Sequence, residues 1–278
     1  MLKPILPEVS DIQALQLKTK HNSLQFGRRL YSFQANNQNF WLKLQLQQGH
    51  PIYQQGFQRE LEFYRQGQNA AELAKITLPF KMLPKSALLE WGLANETEPL
   101  FEQALIVPDA AAYFALDAHR LDISAIQHHF LRALTVVQLM HDAQWLHADL
   151  KREHFVEYAG QLKLIDFEQT QPMHALNQIA MNATPRYMAP ELFHGDAKSQ
   201  QTDIYALGII FYEWLSGQRL SAENYQDWAY LHCQRLEIVL PEKFLVFQSL
   251  LSKMLAKHKA TRFDNIYAIK RALVTEIA

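Results

Sequence analysis

A single cysteine, Cys233, is all that 278 residues contain. The chain therefore closes no internal disulfide, which fits a reducing compartment and excludes a disulfide-stapled secretory scaffold. Charge of one sign is equally scarce, since 27 Lys and Arg against 28 Asp and Glu leave a net charge of −1. Neither a polyanion-binding surface nor a strongly charged membrane-surface protein is indicated, and nucleic acid is not expected as a partner. Long apolar runs are missing too: the most apolar one, 205–212, stops at Glu213, far short of the roughly 20 residues a bilayer span needs. The opening MLKPILPEVSD has two prolines and an acidic residue where an export signal needs an unbroken apolar stretch. Among the 12 histidines no pair has HExxH or CxxC-type spacing, and the adjacent His128 and His129 would point in different directions on a helix. No structural metal is inferred. A soluble, cytoplasmic protein is expected.

What is present is core material: 49% of the residues are apolar, enough for one large domain or two modest lobes. From Ile12 to Leu46 the pattern predicts strands, with Leu15 and Leu17 alternating, further strands over 29–35 and 40–46, and a polar turn at Asn36–Asn39 that makes a hairpin. Gly49, His50 and Pro51 break it, and over 56–66 Phe57, Leu61 and Tyr64 recur at helical spacing with Glu60 beside them. Ser86–Trp91 and Glu102–Val107 read as two further strands, ended by Pro108 and Asp109. Beyond them Ile126, Phe130, Leu134, Val137 and Met140 predict a long buried helix over 123–143, and helices follow over 204–215, 244–256 and 266–277. The expectation is a strand-rich N-terminal lobe with one helix over 1–108, a larger helical C-terminal lobe over 109–278, and a cleft between them.

Between the long helix and residue 170 stands WLHADLKREHFVEYAGQLKLIDFEQ. Asp149 and Asp166 lie at opposite ends of a hairpin that turns at Ala159-Gly160, so one carboxylate is placed to orient a hydroxyl and the other to hold a divalent cation. This arrangement resembles the catalytic and metal-binding loops of protein kinases. The family pattern H-R-D-L-x-x-x-N followed by D-F-G stands here as His147-Ala148-Asp149-Leu150-Lys151-Arg152-Glu153-His154 and then Asp166-Phe167-Glu168. Downstream, 183–191 (ATPRYMAPE) is similar to the end of a serine/threonine kinase activation loop. Asp203 resembles the family's aspartate at a helix start, and Arg262 stands where an arginine pairs with the Glu of the A-P-E triplet.

The resemblance implies a bilobal kinase-like α+β fold, ATP with Mg2+ or Mn2+ as cofactors, and transfer of the γ-phosphate to Ser or Thr hydroxyls of a protein substrate. In it Asp149 orients the acceptor, and Lys151 contacts both the transferred phosphate and Thr184. Asp166 and His154 hold metal. Lys43 holds the phosphates with Glu60 as its ion-pair partner, Glu62 being the near competitor, and Phe26, Gly27 and Val107 contribute to the nucleotide site. Asp203 anchors the catalytic loop through backbone bonds, and Arg262 pairs with Glu191.

Several positions depart from the pattern. In place of G-x-G-x-x-G stands Asn22-Ser23-Leu24-Gln25-Phe26-Gly27, which leaves fewer backbone amides to approach phosphate and implies weaker nucleotide affinity or a different loop conformation. His154 replaces the metal-binding Asn, and Glu168 replaces the glycine after Asp166-Phe167. Such residues also occur in kinases related to bacterial lipopolysaccharide-core kinases, so an atypical, bacterial kinase is inferred, with a sugar, lipid or metabolite hydroxyl as the alternative acceptor. A pseudokinase acting as a binding module is the third reading, favoured by the poor phosphate loop and opposed by the retained pair of aspartates. Ala148 offers no charge to a phosphorylated loop, and 171–183 has no Ser, Thr or Tyr. Activation without phosphorylation is expected, with Leu176 and Ile179, joined by Met173 or Met181, ordering the loop.

Overall fold

Alternation of apolar and polar side chains folds the early chain into a hairpin of β2 (Arg28–Ala35) and β3 (Gln38–Gln45). Asn36 and Asn37 turn it with φ of 50° and 60°, left-handed values that a two-residue hairpin requires and that Asn tolerates. This turn sets Leu30 opposite Lys43 and Arg28 opposite Gln45. Phe40, Leu42 and Leu44 then enter one apolar core with Phe33, Ala35, Leu83, Leu88 and Ile106. Lys43, between two of them, faces the other side of the sheet, and Arg28 shares that side.

The computed structural model describes residues 6–8, 13–47, 51–90, 103–174 and 183–276. Its first unit is Met1–Ala111 with a three-residue segment, Asp166–Glu168. There β1 (Gln13–Leu17), β4 (Lys81–Pro84) and β5 (Gln103–Pro108) complete an antiparallel sheet of order β1-β2-β3-β5-β4. The helices are α1 (His21–Leu24), α2 (Pro51–Asn69), α3 (Ala71–Ile76) and α4 (Lys85–Glu90). Apolar spacing along α2 buries Phe57, Leu61, Phe63 and Tyr64.

Two expectations are corrected here. Ser86 does not begin a strand: the residues form α4, and the strand lies earlier, at β4. Ala87, Leu88 and Leu89 are strong helix formers without β-branching, and Leu88 is fully buried, so a short apolar run that read as a strand is one buried helical turn. The single helix expected beside the sheet is joined by α1, α3 and α4, each too short to show a helical period. Ile12, Gly49, His50, Trp91, Glu102, Leu176, Ile179 and Met181 lie outside the described residues.

The second unit, Ala112–Ile165 with Gln169–Ala278, is mainly helical. Its long helix α5 (Ile123–Asp142) starts where the Asp122 side chain accepts the Ala125 N–H at 2.7 Å. After α6 (Pro190–Phe193), helix α7 (Gln200–Ser216) opens where the Thr202 hydroxyl accepts the Ser199 N–H at 3.1 Å and ends at Gly217, φ 68°. It is buried on nearly every side, with Phe211 stacked on Phe130 of α5 at 3.8 Å. The remaining helices are α8 (Tyr225–Tyr230), α9 (Gln248–Met254) and α10 (Ile266–Glu276); the segment expected as one helix from residue 244 begins as a 3-10 turn, Glu242–Phe247, before α9. Strands Phe155–Tyr158 and Gln161–Leu164 form the hairpin, with Ala159 and Gly160 at φ 49° and 73°. Among the described residues no helix is long and apolar enough to cross a membrane.

Gly208 is where α7 meets α9. A Cβ there would lie 2.9 Å from Leu255 Cγ and 3.2 Å from Met254 Cβ. Gly208→Val should therefore lower stability by about 2 kcal/mol or more, overpacking outweighing any gain in helix propensity; a urea midpoint equal to wild type would refute this account of the helix contact.

Candidate active site

Within the second unit the residues around Asp149 are positioned by a buried carboxylate. Asp203, in the first turn of α7, accepts the backbone N–H groups of His147 at 3.0 Å and Ala148 at 2.9 Å, and its Oδ2 lies 3.0 Å from His141 Nε2. Burial alone would raise its pKa, but these hydrogen bonds and the neighbouring histidines hold it below the usual carboxylate range. Ala148 takes φ 65°, a left-handed value unfavourable to a residue with a Cβ, and it delivers Asp149 one residue later. The Asp149 carboxylate meets Lys151 Nζ at 2.8 Å and accepts the Thr184 N–H at 2.9 Å. His147 donates from Nε2 to the Ile165 carbonyl at 3.2 Å. Burial and the nearby His154 push its pKa down to about 4, so it stands neutral. His154 itself is buried on the 3-10 turn Arg152–His154, its ring 5.3 Å from that of His147.

The A-P-E segment lies in the same unit. Glu191, on α6, takes a two-pronged ion pair from Arg262 at 2.6 and 2.7 Å. The guanidinium also donates to the carbonyls of Ala256 at 2.7 Å, Lys257 at 3.2 Å and Gln201 at 3.3 Å, so a fully buried charge is satisfied on every edge.

Within the first unit a second constellation surrounds Lys43. Its Nζ lies 2.6 Å from Glu60, 2.7 Å from Glu168 and 3.4 Å from Asp166. Burial opposes the lysine's charge, yet the three carboxylates overcome it and raise its pKa. Glu60 is itself buried, and burial pushes its pKa up to about 6 against the pull of Lys43. Glu62, two residues on, is exposed beside Arg65. Phe167 packs on α2, 4.4 Å from the Phe63 ring and 5.4 Å from Tyr64, while its N–H donates to Glu60 at 3.3 Å.

Of the remaining nucleotide-site residues, Val107 stands opposite Trp41 on β5, on the sheet face of Lys43. Gly27 takes φ 82°, and the Phe26 ring stacks on Tyr53 at 4.6 Å. The loop before Gly27 is the short helix α1: without glycines at 22–25, the backbone winds into a turn instead of presenting a row of amides. Sequence reasoning missed Arg28, whose guanidinium bonds Glu168, and Arg59, which donates to the Glu168 carbonyl at 2.8 Å. The hairpin register relating Arg28 to Lys43 was a usable signal; nothing in the sequence marked His141.

Oxygens of Glu60, Asp166 and Glu168 lie within 4.8 Å of one another. Carboxylates are the hard donors that suit Mg2+ or Mn2+, but the Lys43 ammonium lies among these three, so Asp166, the most exposed of them, is the one whose chemistry and access fit a divalent cation; His154 is not among these donors.

The model of the protein kinase domain matches residues 106–273, and the chain belongs to that family. Among its relatives, a probable cAMP-dependent protein kinase catalytic subunit of Encephalitozoon cuniculi is 26% identical over 152 residues, 54% of this chain and 47% of that protein. A cGMP-dependent protein kinase of Plasmodium berghei is 28% identical over 155 residues, 55% of this chain and 16% of that one. The chain thus spans less than half the length of these relatives. The structure of the Cydia pomonella granulovirus kinase PK-1 is similar in fold, with a TM-score of 0.64 at 16% identity, covering 97% of this chain and 96% of that one. The protein kinase family in general uses ATP and a divalent metal.

Buried histidines give the fold a pH dependence. Burial holds His129, His147 and His232 near a pKa of about 4, against about 6.5 when unfolded. A depressed histidine pKa means that the unfolded chain binds more protons between those values, so stability is full above pH 6.5 and is lost as pH falls. Glu60 and Glu213, whose pKa values are raised, work in the opposite sense below about pH 6. The net slope should be on the order of 1–3 kcal/mol per pH unit between pH 6 and 5. Urea midpoints measured at pH 7, 6 and 5 check it; a flat profile would contradict neutral burial of the three rings.

Proposed function

We propose that this chain is an ATP-dependent phosphotransferase that transfers the γ-phosphate to Ser or Thr hydroxyls of protein substrates. The observation that carries the reading is the Asp149 carboxylate held by both Lys151 and the Thr184 N–H, with Thr184 leading into the A-P-E segment. In this role Asp149 receives the hydrogen bond of the acceptor hydroxyl and takes its proton as transfer proceeds. Lys151 neutralises charge developing beside it, and Thr184 fixes the carboxylate through its backbone. Lys43, oriented by Glu60, holds phosphate oxygens, and Val107, Phe26 and Gly27 contribute to the nucleotide site. ATP with its divalent ion, when bound, supplies the phosphoryl group and neutralises its oxygens. Asp166 is the assigned metal ligand, with His154 as a second.

Glu168 and His154 support placing the chain as an atypical, bacterial-type kinase with features of lipopolysaccharide-core kinases, and they favour a sugar or lipid hydroxyl as the alternative acceptor. Thr170, the one hydroxyl residue just before the 171–183 segment, is buried, which supports activity without loop phosphorylation.

Asp149→Asn should lower turnover by about a hundredfold or more while the melting temperature without nucleotide stays near wild type. Transfer of label from radioactive ATP to generic protein acceptors and to lipopolysaccharide, run in parallel, tests both readings: protein labelling lost in Asp149→Asn supports the first, labelling of lipopolysaccharide alone selects the second, and no labelling of either opposes catalysis.

With imidazole in place of an amide oxygen, Mn2+ should support faster turnover than Mg2+, and His154→Asn should narrow the gap. Identical metal profiles for the two proteins would remove His154 from the ligand set.

A further inference from the structure

Arg28 and Glu168, which the kinase motifs leave unexplained, form a group with Lys43. The hairpin register puts Arg28 and Lys43 on one face of the sheet, and Glu168 spans them: Oε1 lies 2.7 Å from Lys43 Nζ, and Oε2 is bonded by the Arg28 guanidinium. The acidic residue is seated from behind as well. Arg59 Nε donates to its carbonyl at 2.8 Å, and α2 presents Gly56 to it, where a Cβ would come within 3.3 Å of Oε2.

A guanidinium fork and an ammonium converging on one anion are the donors that take a phosphate chain. The neighbouring loop is wound into α1 and lacks the amide row that otherwise cradles phosphate, so side chains must supply that binding. Lys43 already has Glu60 at 2.6 Å, which leaves it oriented and charged when Glu168 departs.

We propose that Arg28 and Lys43 together are the polyphosphate-binding pair of this chain, and that Glu168 is a tethered counter-ion which occupies the pair until a nucleotide's phosphates displace it. The proposal rests on the nucleotide-binding reading above. Because the carboxylate is part of the same chain, it competes at high effective concentration. Apparent affinity for the incoming anion falls by the fraction of molecules in which the pair is vacated.

Calorimetric titration of the full chain with ATP and, separately, with inorganic triphosphate, both without metal, reads the pair directly. Glu168→Gln keeps the shape and removes the charge, and should bind both ligands about tenfold more tightly. Arg28→Met should bind both about tenfold more weakly. In the Arg28→Met background, Glu168→Gln should gain much less, because the two residues act through one contact. Glu168→Gly, the family's residue at this place, should follow Glu168→Gln and guards against a folding defect of either variant, as does ligand-free melting of each.

Unchanged or weaker binding by both Glu168 variants overturns the tethered counter-ion, and wild-type affinity in Arg28→Met overturns the pair. If ATP binds none of the proteins while triphosphate follows the stated order, the nucleotide reading fails and the anion pair stands. If triphosphate binds every protein alike, or none, the anion pair itself is wrong.

Discussion

The loop that carries Asp149 hangs on one buried carboxylate. Asp203 is buried away from bulk solvent, so its charge is met by the N–H groups of His147 and Ala148 and the ring of His141. Those bonds hold Ala148 in a left-handed conformation that costs about 1–2 kcal/mol for a residue with a Cβ. Hydrogen bonds to a charged acceptor contribute about 1.5–3 kcal/mol each, enough to offset it. The direction in which Asp149 leaves the backbone follows from that balance, and Lys151 and Thr184 then hold its carboxylate where it emerges.

The cluster around Lys43 obeys a different constraint, the neutralisation of a buried ammonium. Lys43 is surrounded by three carboxylates and Arg28 by one of the same three, so two cations meet three anions on one sheet face. Burial is the main reason that the pKa of Glu60 is raised, and the neighbouring Asp166 and Glu168 charges add to it. A family member with glycine at residue 168 would lack that surplus.

Particular residues show why some of this was legible beforehand and some was not. The hairpin at Asn36-Asn37, the long α5 and the 155–164 hairpin follow from local periodicity and turn chemistry, which need no partner to be read. Helix α4 was misread because six residues are too few to separate a helical period from a strand's alternation, and its Leu88 is buried by a sheet assembled from distant strands. Arg28 passed as an ordinary strand residue, since its role depends on a carboxylate 140 positions away.

By itself the sequence determined the α+β character, the family and the charged residues that sit in motifs, Lys43, Asp149, Asp166 and Glu168 among them, because ordered motifs and apolar spacing are properties of neighbours in the chain. Only the tertiary structure decided which of those charges meet. Glu60 rather than Glu62 reaches Lys43, Glu168 bridges Lys43 and Arg28, and Asp203 closes on a loop more than fifty residues earlier. Ion pairing within 4 Å is set by how strands and helices pack, and a difference of one register position sends a side chain to the opposite face.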